Sequence, residues 1–224
     1  MTISATSQGL KPGVVTSSNR PANPYTGMMI FETDTNRLGV WNGTAWVFLA
    51  DADTPPGLEL IASATVSSAA SFSLATSTFT DTYDNYKIVG AFTMTASGSS
   101  QTVTMRMRAS GTDNSNSEYR TANMRGSSAI SGATAASSLT TSFSIVPAMT
   151  APNRLNFALE IYSPKATDYT AISGTVGALQ NNADMFAILP TGVMTVTTSY
   201  DSATFIISSG GFTGNYQVYG YRNS

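Results

Sequence analysis

The stretch that decides the fold of the N-terminal part is NRPANPYTGMMIFETDTNRLGVWNGTAWVFL, residues 19–49. Three short apolar runs lie within it, at residues 28–32, 38–41 and 45–49. Polar turn sequences separate them, and the second separator contains Asn42 and Gly43. An Asn-Gly pair accepts positive φ at both central positions of a type I′ hairpin turn. The pattern therefore predicts a tight antiparallel β-meander with a type I′ turn at this pair.

A meander of this size is only marginally stable by itself. Its strands have about five residues and one apolar face, so it needs something to pack against. Closed cyclic symmetry is the usual arrangement for identical chains. We therefore expect an oligomer, specifically a homotrimer. The side chains expected at its interfaces are Met28, Ile30, Trp41 and Trp46.

The same stretch resembles a short module that recurs in structural proteins of tailed bacteriophages. The resemblance rests on Pro21, Pro24, the run GMMIFETDTN (residues 27–36) and the run WNGTAW (residues 41–46). Such modules are common in tail fibres, head fibres and minor tail proteins. The resemblance implies a component of the virion.

Composition further narrows the class of protein to which the chain can belong. The chain has 224 residues, enough for one large β domain or for a small module and a medium domain. Only 11% of residues are charged, against about 25% in ordinary soluble domains. Such a surface is typical of proteins that work in assemblies. The net charge of −2, with no long basic run, argues against binding to nucleic acid.

The chain contains no cysteine and no histidine. These absences exclude thiolate nucleophiles, a Ser-His-Asp triad and histidine-based metal sites. Glycoside hydrolysis needs two opposed carboxylates at a set separation. The glutamates are Glu32, Glu59, Glu118 and Glu160. We expect a protein without enzymatic activity and without a cofactor, and a glycan-degrading tail component is the less favoured alternative.

Residues 1–20 lack the basic start and apolar run of a secretory signal. No window of the chain reaches the 18 apolar residues of a membrane span. We therefore expect a virion part made in the host cytoplasm. The segment is polar and would be disordered in isolation. We expect it to be an extended arm that attaches to other virion proteins, capsid or tail, through the apolar contacts Leu10, Val14 and Val15.

The Pro55-Pro56 pair predicts a linker at residues 51–57 between two domains. The expected division is an arm at 1–20, a meander at 21–50, the linker, and a β-sandwich at 58–224. Alternating and apolar runs predict strands at 58–66, 71–75, 85–96, 101–109, 117–125, 139–146, 153–163, 169–176, 185–189, 194–200, 203–208 and 215–221. This series predicts an all-β fold with a two-sheet antiparallel sandwich of jelly-roll type.

The second half also bears a resemblance, to a β-sandwich domain frequent at the C-termini of phage tail and capsid-surface proteins. It rests on YDNYKIV (residues 83–89), MRMRASG (residues 105–111) and GNYQVYGY (residues 214–221). The closing strand is central to that fold. The resemblance implies that Tyr216, Val218 and Tyr219 lie in the core or at an interface.

Aromatic residues near the predicted loops suggest contact with a host-surface glycan, because sugars dock their apolar faces on tyrosine rings. The candidates are Tyr119, Tyr162, Tyr169 and Tyr200. The alternative is that these rings fill the core, as aromatics at strand ends usually do.

The leading functional hypothesis is a non-enzymatic, trimeric fibre or surface-projecting protein of the virion. It would attach by its N-terminus and contact the host surface through the sandwich. The second hypothesis is a capsid decoration protein that stabilises the head.

Overall fold

The computed structural model describes residues 12–49, 57–95, 100–127, 131–135, 138–150, 152–180 and 184–222. The chain divides into two compact units, residues 1–56 and 57–224. Strands are the main regular structure of both units, and no described residue lies in an α-helix, so the predicted all-β class is confirmed. The structure contains no described helix that is long and apolar enough to cross a membrane. Leu10 and residues 51–56 of the predicted linker lie outside the described residues.

The first unit contains one four-stranded sheet. Its strands, in spatial order, are β1 (Gly13–Val15), β2 (Met29–Glu32), β3 (Arg37–Trp41) and β4 (Trp46–Phe48). Strands β2, β3 and β4 form the predicted antiparallel meander. Strand β1 was not predicted, and it pairs with β2 in parallel.

The predicted arm of residues 1–20 overlaps the small sheet, because β1 (Gly13–Val15) lies within it. Residues 13–15 form β1 of the small sheet, and Ser17, in a short 3-10 helix at Ser17–Asn19, is hydrogen-bonded to the turn after β2. The backbone N–H and the hydroxyl of Ser17 both donate to the carboxylate of Asp34. Val14 and Val15, expected to contact another protein, are strand residues paired with Phe31 and Glu32.

The type I′ turn predicted at Asn42 and Gly43 is wrong. Trp41 pairs with Trp46, so four residues connect the strands instead of two. Gly43 has a φ of 102°, but Asn42 is not among the positive-φ residues. Its side-chain oxygen accepts the backbone N–H groups of Thr44 and Ala45, both at 2.8 Å, and this closes the loop.

The second unit is a sandwich of two antiparallel sheets. Its described strands are β5 (Leu58–Ala69), β6 (Ser71–Ser73), β7 (Asn85–Thr95), β8 (Ser100–Ala109), β9 (Thr112–Asp113), β10 (Tyr119–Gly126), β11 (Ser131–Ala135), β12 (Phe143–Thr150), β13 (Pro152–Tyr162), β14 (Ala171–Gln180), β15 (Asp184–Met194), β16 (Ser202–Ile207) and β17 (Gly211–Tyr221). The larger sheet has the order β11-β10-β15-β14-β13-β7-β17-β5. The smaller has the order β12-β8-β16-β6, with β9 paired to β8. The jelly-roll connectivity stays a prediction.

Aromatic rings from both sheets meet in the core. The ring of Phe72 in the smaller sheet stacks on Phe92 and Tyr216 of the larger sheet at 5.2 and 5.1 Å. Phe205 stacks on Phe72 at 5.0 Å and on Phe157 at 5.2 Å. Since all five rings are at most 8% exposed, they fix the spacing of the two sheets.

Strand alternation explains which residues enter this core. In β8 the side chains of Val103, Met105 and Met107 are buried, whereas Arg106 and Arg108 on the opposite face are half-buried. In β17 Tyr216 and Val218 are buried, but Tyr219 points to the other face and is partly exposed. Tyr219 is therefore not a core residue.

Two further differences concern the strands. The strand predicted at residues 194–200 is wrong, because β15 runs from Asp184 to Met194 and ends there. The following residues bond to loops: the N–H of Thr195 donates to the carbonyl of Glu118, and that of Tyr200 to Pro164. Strand β11 lies in a Ser/Ala-rich stretch that carries no strand-like alternation.

Candidate functional site

One face of the small sheet is lined by apolar side chains from all four strands. Register places the side chains of directly paired residues on the same face. Six residues share this face, and we call their surface the open face: Val14, Met29, Phe31, Leu38, Val40 and Val47. Val14, Met29 and Val47 are 56%, 42% and 52% exposed, and the other three are half-buried. An exposed apolar patch of this kind is typical of a surface that contacts another protein.

The opposite face of the small sheet is already covered within one chain. Ile30 is fully buried and Glu32 is 1% exposed. Trp41 and Trp46 are half-buried and pack edge to face, with their ring centroids 5.5 Å apart. The interface role predicted for Ile30 is therefore wrong, because its side chain is satisfied inside its own chain.

Met28, Val15, Trp41 and Trp46 keep part of their surface exposed, but none of them belongs to the open face. Most residues of the open face were not predicted from the sequence to be contacts. The signal was present, because Met29 alternates with Ile30 along β2 and the two must face opposite sides. Which side meets a partner depends on what the rest of the chain covers.

An ion pair holds the covered face in place. The Arg20 guanidinium donates to the Glu32 carboxylate at 2.5 Å and lies 5.0 Å from the centre of the Phe48 ring. The hydroxyl of Thr35 donates to the other carboxylate oxygen at 2.7 Å. The hydrogen bond from Arg20 holds the pKa of Glu32 below its usual value, and the same bond raises the pKa of Arg20. The guanidinium of Arg20 thus links the segment that precedes β2 to Glu32 of β2 and to Phe48 of β4.

The large sheet carries a second candidate site, on the face turned away from the core. A concave region of about 490 Å³ crosses five of its strands and continues into a neighbouring one of about 470 Å³. The two share Ala122, Ser173 and Thr191, and we call them together the outer groove. Apolar side chains dominate its walls, among them Met124 and Leu189, which are 60% and 47% exposed.

Polar groups in and beside the outer groove form hydrogen bonds with each other. The ammonium group of Lys87 donates to the carboxylate of Glu160 at 3.1 Å, and the hydroxyl of Tyr221 donates to its second oxygen at 2.7 Å. Burial and the bond to this carboxylate raise the pKa of Tyr221 to about 12. The hydroxyls of Tyr162 and Ser173 are 3.0 Å apart. These groups are fixed in position and can hydrogen-bond a hydroxyl-bearing ligand.

The floor of the outer groove contains a short interruption in strand pairing. The ladder between β14 and β15 is interrupted between the pairs Ser173–Thr191 and Val176–Ile188. Pro190 lies in this interval, and proline has no N–H to give to a ladder. Asn123, its partner on β10, is buried, and its side-chain oxygen has no hydrogen-bond partner among the described residues. Asn123 shares the buried face of β10 with Tyr119 and Thr121, whereas Ala122 and Met124 face the groove, so this oxygen lies on the core side of the sheet.

Two of the four predicted glycan contacts are wrong. Tyr119 and Tyr200 are fully buried, so neither ring face can meet a sugar. The hydroxyl of Tyr119 donates to the carbonyl of Asn114 and accepts the N–H of Met107. Burial raises the pKa of Tyr119 and of Tyr200. Both tyrosines fill the core, as the alternative interpretation predicted.

The other two tyrosines are exposed. Tyr162 is 38% exposed and lines the outer groove, whereas Tyr169 is 56% exposed and is not part of its lining. A glycan contact at these two residues stays a prediction.

The glutamates are engaged in separate contacts. Glu32 pairs with Arg20 and Glu160 with Lys87, while Glu59 pairs with Arg222. The hydroxyl of Tyr83, and then the guanidinium of Arg222, lower the pKa of Glu59. Glu118 accepts hydrogen bonds from Asn114 and Asn116. In the part of the chain that the structure describes, no group of three or more acidic residues is placed to hold a metal ion.

Comparison with known proteins gives one family. Residues 1–68 match the model of a phage tail like trimerisation region. The searches of curated proteins and of solved structures returned no match. The matched region contains the whole small sheet, including every residue of the open face. The match supports a phage tail-type structural protein that associates as a trimer.

Proposed function

We propose that the protein is a non-enzymatic, trimeric tail fibre or surface-projecting protein of a phage, with the open face of the small sheet as its threefold contact. The observation that carries this proposal is the match of residues 1–68 to a phage tail like trimerisation region. The open face supplies the chemistry, because it is apolar, uncharged and exposed within one chain. Burial of apolar surface is the main favourable term in subunit association.

The oligomeric state tests this proposal directly. Each chain has a mass of 23.4 kDa, so multi-angle light scattering should give about 70 kDa at micromolar concentration. The mass should not change over a tenfold dilution in that range, since an obligate trimer does not dissociate there. A monomer mass of 23.4 kDa would contradict the proposal.

The two ends of the chain have different proposed roles. The polar N-terminal segment attaches the trimer to other virion proteins, and residues 1–11 are the part of it that precedes the small sheet. The sandwich contacts a glycan of the host surface through the outer groove. Its apolar walls and the fixed hydroxyls of Tyr162 and Ser173 support a hydroxyl-bearing ligand.

A crossed experiment separates these roles. A chain lacking residues 1–11 should bind host cells normally but be absent from purified particles. The Tyr162→Ala chain should enter particles but bind cells at least about fivefold more weakly, since loss of a stacked ring and its hydroxyl removes roughly 1–3 kcal/mol. Tyr25→Ala, an exposed tyrosine of the small unit outside both the outer groove and the open face, is the matched control and should bind as wild type. Equal cell binding by Tyr162→Ala would contradict the groove assignment.

The alternative of a capsid decoration protein is less supported. The matched family is described as tail-like, and the outer groove gives the sandwich a surface suited to a ligand. Presence of the chain on purified tails but not on purified heads would support the tail position.

A further inference from the structure

The first strand of the sandwich is unusual in being long, apolar and open. Strand β5 (Leu58–Ala69) has 12 residues and lies at the end of the eight-stranded sheet. Among the described strands only β17 pairs with it. Natural proteins protect such edges with charges, prolines or a covering segment. The single charged residue of β5 is Glu59, and its carboxylate is engaged by Tyr83 and Arg222.

The beginning of β5 exposes its largest apolar side chains. Leu58 is 48% exposed and Leu60 is 56% exposed. Leu58 pairs with Tyr221 and Leu60 with Tyr219, so the four side chains share the face of the sheet turned away from the core. Both tyrosines are partly buried there. The result is an apolar ridge at the edge of the sheet, with the leucines outermost.

The extent of the family match bears on what covers this ridge. The first compact unit ends at residue 56, but the match to a trimerisation region continues to residue 68. It therefore includes β5 from Leu58 to all but the last of its residues. A region that trimerises and includes this strand points to other copies of the same chain as the partner.

Chain connectivity strengthens the argument. Eight peptide steps join Leu49 to Gly57, and a fully extended chain covers about 3.5 Å per step, so the connection reaches at most about 28 Å. When three small sheets associate, the three β5 strands are held at high effective concentration. A contact of modest intrinsic affinity then forms without further loss of translational freedom.

We propose that the trimer contact continues into the sandwich through β5, where Leu58 and Leu60 of the three copies pack against each other around the threefold axis. This inference rests on the proposed trimer and extends it to a second surface. The contact covers the apolar ridge, whose leucines are exposed in the part of the chain that the structure describes.

Cross-linking tests the proposal, because the native chain has no cysteine and an introduced one is unique. The full-length Leu60→Cys protein, treated with a short tris-maleimide reagent, should run as a covalent trimer on a denaturing gel. Met185→Cys is the matched control, since Met185 is also exposed and apolar, at 67%, but lies on β15 in another part of the sheet. It should react with the reagent and remain a monomer on the gel.

The outcomes separate this inference from the proposed function. If light scattering gives a trimer and neither Leu60→Cys nor Leu58→Cys cross-links above the Met185→Cys level, the β5 contact is overturned and the trimer stands. If light scattering gives a monomer, the proposed function itself fails. Equal cross-linking at positions 60 and 185 would show random collision and would also overturn the contact. Melting curves matching wild type verify that the exposed substitutions leave the fold intact.

Discussion

Replacing Val47 by aspartate is expected to convert the trimer into monomers. Val47 lies near the middle of β4 on the open face and is 52% exposed in one chain, so the monomer tolerates a carboxylate there. In the trimer the substitution would place three carboxylates in an apolar contact around one axis. Burying an unpaired charge is strongly unfavourable, so the dissociation constant should rise at least about a hundredfold.

Sedimentation velocity over a dilution series measures this change. Tyr25→Asp is the matched control, because Tyr25 is also an exposed hydrophobic residue of the small unit, at 69%, but lies in a loop outside the open face. It should remain a trimer at concentrations where Val47→Asp is monomeric. A trimer with unchanged affinity for Val47→Asp would show that the chains associate through a different surface.

Truncation of Phe205 to alanine should cost about 3–5 kcal/mol of unfolding free energy in the sandwich. Its ring is fully buried and stacks on Phe72 and Phe157, which come from opposite sheets. The cavity left by the ring cannot be filled without moving one sheet toward the other. The surrounding rings would therefore lose contacts as well as apolar burial.

Chemical denaturation followed by circular dichroism checks this effect. Tyr169→Ala removes an aromatic ring of similar size from the surface of the same unit and should change the unfolding free energy by less than about 0.5 kcal/mol. A loss below about 1 kcal/mol for Phe205→Ala would contradict the observed packing of the two sheets.

The meander shows what the sequence predicts well. Alternating apolar runs between turn residues marked β2, β3 and β4 within one or two residues of their observed bounds. The loop between β3 and β4 was harder to predict, because Asn42 and Gly43 are residues that favour a two-residue turn. The pairing of Trp41 with Trp46 sets the register instead, and register depends on contacts between strands as well as on the turn.

The candidate glycan contacts show where sequence reasoning stops. Tyr119 and Tyr200 are near loops in the sequence, just as Tyr162 is. In the fold the first two are fully buried, and only Tyr162 reaches the outer groove. The outer groove itself has no sequence motif, because it is built from separate strands and from a gap in pairing at Pro190.

Composition and local periodicity were enough for the all-β class, most of the strands and the absence of thiol and imidazole chemistry, because these properties depend on a few neighbouring residues at a time. The resemblance to phage virion proteins rests on short motifs. The tertiary structure decided which side of each strand is covered. Ile30 is buried and Met29 is exposed although they are neighbours in the sequence. The reason is that Arg20 and the segment that precedes β2 pack over one face of the small sheet and leave the other face open.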